Sequence, residues 1–176
     1  MRVVVTGTPG TGKTTATDLL ADDAAGDYDV SLDMVHLNEV IEAEELYEEV
    51  DEERDSVVVD LDALEEWVGD RDDVVLDSHL SHYLDADRVV VLRCEPAELE
   101  QRLLDRGESP PKAGENAESE ALDVILSEAV ELHGLENVYE IDTTDRAPED
   151  VAADIAAVVH GEREPSAGDV DFIEYL

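Results

Sequence analysis

Lysine is nearly absent from this chain: Lys13 and Lys112 are its only two, beside nine arginines. Those 11 cations stand against 49 Asp and Glu, and the formal net charge is −38 at neutral pH. A surface without a basic face excludes bare nucleic acid as an expected direct partner, since phosphate backbones bind through clustered Lys and Arg. So much like charge also opposes compaction. At molar salt the screening length falls to about 3 Å and most of the surface repulsion vanishes, so the composition reads as that of a salt-adapted cytoplasmic protein. Cysteine is represented only by Cys94, which excludes an internal disulfide and a cysteine metal cluster. Adjoining a predicted strand, it reads as a buried, inert thiol. Aromatics are 4% of the chain, so its 43% of apolar residues must build a core from Val, Leu, Ala and Ile. No apolar run approaches a membrane span, and the opening MRVVVT leads into a glycine loop without a signal-like apolar stretch. The expectation is a soluble, cytoplasmic protein with no membrane partner.

What is present points to one α/β domain. The 176 residues suffice for a core without staples. Valine-rich runs at 2–6, 57–59, 74–76, 88–92 and 138–141 read as strands, with a further candidate near 28–30. Several are almost continuously β-branched, as strands buried on both faces of a parallel sheet would be. Amphipathic stretches at 13–24, 38–47, 60–68, 96–105, 119–132 and 148–160 read as helices between them, Asp60 serving as an N-cap and Pro96 and Pro148 as first-turn residues. Two segments interrupt the alternation. Residues 42–54 carry eight acids among thirteen positions, and GESPPKAGEN at 107–116 reads as a mobile loop over a ligand. The acids are interleaved with apolar periodicity, which excludes a disordered acidic chain. Only residues 161–176 look tail-like, and their apolar end could dock on the body or on a partner.

The chemistry begins at GTPGTGKT, residues 7–14, which matches G-x-x-x-x-G-K-S/T at every fixed position, after one predicted strand and before a helix. Glycines at 7, 10 and 12 let successive N–H groups face one centre, a nest for a phosphate backed by the helix N-terminus. Lys13 would reach the β- and γ-phosphates of ATP, and the Thr14 hydroxyl would ligate Mg²⁺. Thr15 would add a contact to the α-phosphate. Asp77 leaves the 74–76 strand where acids orient the water or metal at a γ-phosphate, unless it merely caps the next segment. His79 would point the same way, to act on an attacking water or to stabilise transferred charge, or it is a loop histidine without a role. His82 is a weaker candidate. Arg93, Arg102 and Arg106 supply guanidinium groups for phosphates. Salt pairing is the better reading of Arg102, and phosphate binding of Arg106.

Taken together, GTPGTGKTT, HLNE at 36–39, LYEEVDEERD at 46–55, DSH at 77–79, VVLR at 90–93 and DRGE at 105–108 resemble the adenylate-kinase-like family of the coilin-interacting nuclear ATPase protein, with its archaeal members. The resemblance extends to about residue 160. It implies a P-loop NTPase fold of the nucleoside monophosphate kinase type, a parallel sheet flanked by helices with a short lid. Residues 1–160 would form the kinase domain, with a monophosphate-binding region at about 30–53 and a lid at about 105–115. The implied activity is adenylate or broad nucleoside monophosphate kinase with ATPase activity. Late maturation of the small ribosomal subunit is implied too, through a ribosomal protein of its platform. By resemblance Gly10, Gly12, Lys13, Thr14, Thr15 and Arg106 bind ATP, while Asp77 and His79 form a modified Walker B element. Two departures stand out. DSHLSH replaces the Asp-Gly-Phe-Pro-Arg element of ordinary adenylate kinases, and Glu42 falls where some members carry a basic residue for the acceptor. A shikimate-type kinase is disfavoured because no glycine triplet follows the Asp77 strand. A signalling GTPase is disfavoured by the lack of an Asn-Lys-x-Asp motif.

Overall fold

A computed structural model describes residues 1–23 and 26–176. Five parallel strands form its centre: β1 (Arg2–Thr6), β2 (Asp33–His36), β5 (Val74–Asp77), β6 (Arg88–Arg93) and β7 (Val138–Asp142), ordered β2-β5-β1-β6-β7. Alternating side chains of these strands feed two cores. Val3, Val5, Val75, Val90 and Ile141 face α1 (Lys13–Ala21) and α7 (Pro148–Val159). Val4, Val74, Leu76, Val89 and Val91 face the opposite layer of α2 (Leu37–Ala43), α3 (Leu61–Val68) and α6 (Val124–His133). Burial on both sides explains the unbroken valine runs. A smaller cluster of Cys94, Leu99, Leu103 and Ala113 joins α4 (Pro96–Asp105) to α5 (Pro110–Ala121). Burial pushes the Cys94 thiol up to about 12, in keeping with an inert role.

Several of these expectations need correction. The 38–47 helix ends at Ala43, and the acidic stretch beyond it becomes β3 (Tyr47–Asp51), paired antiparallel with β4 (Ser56–Val59). The 57–59 run therefore belongs to a separate two-stranded sheet. Its turn is shaped by Asp51, whose Oδ1 accepts from the N–H groups of Glu53 and Arg54. The strand sought near 28–30 is β2, several residues later. As a half-exposed edge strand with Asp33 and His36 at its ends, it lacks the apolar signature of the inner strands. The 107–116 loop is mostly the start of α5: Ser109 caps Lys112 N–H, and Pro110 and Pro111 occupy first-turn positions where no N–H is required. The 119–132 helix is two helices, broken at Asp123 with φ 55°. The 13–24 helix closes at Ala21, and Ala24 lies outside the described residues.

Beyond α7 the chain returns across β7. Ser166 N–H donates to Val138 O at 3.0 Å, and Glu140 N–H donates to Ser166 O at 2.8 Å. Among the described residues no helix is long and apolar enough to cross a membrane.

Ile155 is fully buried on α7, so Ile155→Ala should cost about 2–5 kcal/mol in chemical denaturation. Asp60→Ala removes only the cap to Ala63 N–H and should cost about 1 kcal/mol.

Candidate active site

Parallel strands present their C-terminal ends on one side, and β1 lies between β5 and β6, so the loop after β1 opens onto the crevice between its neighbours. Gly7 has φ 143°, and a Cβ there would lie 2.5 Å from Leu92 O; no side chain fits. Gly12 is left-handed at φ 95° and precedes α1 with no side-chain cap. The first N–H groups of α1 are thus left for an anion. Lys13 is 8% exposed and its Nζ donates to Gly7 O at 2.7 Å and Thr8 O at 3.1 Å. Burial lowers its pKa from 10.5 to about 8, against the pull of Asp77 and Glu120.

An open cavity of about 1020 Å³ is lined by Gly12, Lys13, Thr14, Asn38, His79 and Arg106, together with Arg54, Lys112 and Asn116. A second cavity of about 400 Å³ continues past Gly10, Thr15 and Arg106 to Thr143 and Arg146. The structure thus brings together the loop residues, His79 and Arg106. Asp77 lies beneath them, buried, with Oδ2 accepting from Thr17 Oγ1 at 2.5 Å and both oxygens 3.0 Å from His36 Nδ1. Asp77 therefore offers oxygen close to Lys13, not a helix cap. Thr14 is exposed in the first turn of α1.

Half-buried His79 is pushed down to about 4 by burial and by the Lys13 charge, so its imidazole is neutral at physiological pH. A neutral imidazole carries one N–H donor and one acceptor nitrogen. Two other basic side chains do not join the site. Arg93, expected to help neutralise transferred charge, is 1% exposed and encased by Glu120 at 2.8 Å, Glu140 at 2.6 Å and Asp123. It serves the interior instead, because three carboxylates next to it leave no guanidinium edge for a phosphate. His82 is likewise structural, bonded to Thr6 Oγ1 at 2.8 Å and Glu128 at 2.9 Å. Arg102 pairs with Glu98, the salt pairing expected of it, and also donates to Gly10 O at 3.3 Å.

Sequence reading missed His36, Thr17 and Glu120. His36 lay in the HLNE stretch but gained meaning only when β2 paired with β5, setting it opposite Asp77. Its other nitrogen is 2.8 Å from Asp18. Burial opposes its charge, yet the bonds to Asp77 and Asp18 outweigh this and raise its pKa. Glu120 was one acid among 49, and nothing local distinguished it.

An uncapped helix N-terminus, a buried lysine and a parallel sheet of this order define a P-loop protein with a kinase-like α/β fold. The fold is similar to that of a shikimate kinase from Bacteroides thetaiotaomicron, with TM-score 0.59 and 17% identity over 92% of this chain and 98% of that one. The profile of the AAA domain family matches residues 3–123. Proteins from Natronomonas pharaonis and Halobacterium salinarum are each 58% identical over the full length of both chains. One from Methanocaldococcus jannaschii is 37% identical over 99% of this chain and 94% of its own. All three bear the name "Putative adenylate kinase". The chain belongs to the AAA domain family and to the family that these relatives form.

Since only the ammonium form of Lys13 binds phosphate well, ATP affinity should fall as pH rises through about 8. Bound phosphate restores the proton, so calorimetry at pH 8.5 should register proton uptake, read from the dependence of the heat on buffer ionisation. Lys13→Arg stays charged throughout this range, and any binding it retains should lack that uptake.

Proposed function

We propose that this protein is a nucleoside monophosphate kinase, with ATP as donor and AMP as the reference acceptor, making two ADP. The observation that carries the reading is the cavity of about 1020 Å³ that starts at Lys13 and ends at the turn of the β3–β4 hairpin. It lies at the upper end of the roughly 300–1,000 Å³ of ordinary small-molecule sites and suits two nucleotides meeting head to head. The relatives' name points the same way.

In this reading the loop amides and the start of α1 grip the β-phosphate. Lys13 bridges β- and γ-phosphates, Arg106 flanks them from the lid side, and Thr15 lies toward the α-phosphate. Catalysis rests on positioning and charge compensation across an in-line transfer. The acceptor occupies the side formed by Asn38, Arg54 and Lys112. Thr14 and Asp77 offer hard oxygen donors, and no group of three or more candidate metal ligands occurs among the described residues. That donor set fits Mg²⁺ held by one or two protein oxygens together with substrate phosphates. When bound, the ion would offset the negative charge between the β- and γ-phosphates.

A second activity, ATP hydrolysis, is favoured by one feature: the neutral His79 imidazole in the cavity wall near Lys13. We assign it the role of orienting water. With the family resemblance, this supports an assembly role in small-subunit rRNA processing and ribosome maturation, through a basic platform ribosomal protein. The charge of −38 suits such a partner in the cytoplasm.

The test is to incubate the protein with ATP, Mg²⁺ and AMP in molar KCl and separate the nucleotides. Two ADP formed per ATP lost, only with AMP present, is the expected result; free phosphate regardless of AMP would leave hydrolysis as the sole activity. Lys13→Ala should abolish both reactions. His79→Ala should reduce hydrolysis by at least about tenfold more than transfer, and equal losses would remove His79 from the water-directed role.

A further inference from the structure

Glu120, on α5, is 3% exposed and is not among the residues that line the cavity. A carboxylate so deeply buried is stable only when its oxygens are bonded. Here one oxygen accepts from Arg93 Nε at 2.8 Å and Cys94 N–H at 3.1 Å. The other accepts from Thr8 Oγ1 at 2.6 Å. Thr8 belongs to the phosphate loop, and its carbonyl is the point at which that loop is tied together. It accepts from Thr11 N–H at 3.2 Å, from Thr11 Oγ1 at 2.9 Å and from Lys13 Nζ at 3.1 Å. The carboxylate of one helix thus holds the residue around which the loop and its lysine are arranged.

Arg93 holds Glu120 from behind. Its guanidinium also engages Asp123, at the break between α5 and α6, and Glu140 on β7. Glu140 in turn accepts from the N–H groups of Asp169 at 2.8 Å and Val170 at 3.3 Å, and the Phe172 ring lies 5.4 Å from the guanidinium carbon. The C-terminal segment therefore closes the back of the cluster. Meanwhile α5 lines the cavity through Lys112, Asn116 and Ser119. One helix touches both the contents of the cavity and the loop.

We propose that Glu120 is a positioning residue for triphosphate binding: backed by Arg93, it pins Thr8 and so ties the shape of the phosphate loop to the placement of α5. This rests on the reading of that loop as an ATP site and is independent of which acceptor is used. A purely structural ion pair would support folding alone; a positioning contact acts on nucleotide affinity.

Thr8→Val removes the hydroxyl and little else. Glu120→Met removes both oxygens at similar volume while leaving Arg93 two partners. Each variant, with folding checked by circular dichroism and Tm, should bind ATP about tenfold or more weakly by calorimetry, the scale of one hydrogen bond to a charged group. The KM for ATP should rise in step, and kcat at saturating ATP should stay within about threefold. The double variant should be no weaker than the weaker single one, because both lose the same contact. Glu120→Gln, which can still bond Thr8, should recover most of the affinity. Glu140→Gln, which leaves Arg93 its bonds to Glu120 and Asp123 and does not touch the loop, should lower Tm and leave ATP affinity within about twofold. Folded Thr8→Val with unchanged ATP affinity, or losses that multiply in the double variant, would overturn the proposal alone. Wild-type protein that binds no ATP would overturn the functional reading and this proposal with it.

Discussion

A lysine ammonium tucked under a glycine loop, at the uncapped start of a helix, is the arrangement on which the rest of this molecule depends. Lys13 is held by Gly7 O and Thr8 O, while the first turn of α1 has no side-chain cap. Burial works against the charge, and the nearby carboxylates of Asp77 and Glu120 oppose that penalty. The loop is therefore a place where the fold keeps a cation and several amide dipoles short of negative charge, the electrostatic condition for gripping a polyphosphate.

The surroundings follow from that condition. β1 has to lie in the middle of the sheet so that its loop opens between β5 and β6, and the glycine at the strand end has to let the chain pass Leu92 O. Asp77, at the end of β5, is fixed by Thr17 from α1 and by His36 from β2. Elements distant in sequence thus converge on one carboxylate. The acidic surface makes the distribution of cations more telling. Four of the chain's 11, Lys13, Arg54, Arg106 and Lys112, line a single cavity, including both lysines. Four acids, Glu53, Asp55, Glu108 and Glu115, line the same cavity, and Glu115 and Glu108 pair with Arg54 and Lys112, so the charge of those two cations is partly offset while Lys13 stands at the phosphate loop.

Most of the sheet and the loop were legible in the linear chain. The β-branched runs of β1, β5, β6 and β7 carry the signature of doubly buried strands, and the glycine spacing of the loop leaves few alternatives. β2 was obscured because an edge strand with polar ends lacks that signature. The acidic hairpin was read partly as helix because β3 is mostly exposed and its side chains show no buried face. The α5 start was read as loop because two prolines and a glycine normally punctuate structure, whereas in the first turn prolines cost no hydrogen bond.

By itself, the sequence determined the phosphate-binding loop, the parallel α/β class and the strongly acidic composition, because these depend on residues adjacent in the chain or on sums over it. Tertiary structure alone decided that Arg93 belongs to the interior, that His36 faces Asp77, and that one acid among 49 reaches the loop. The physical reason is that a charged side chain's role is set by the partner that replaces its water, and such partners come from strands and helices far apart along the chain.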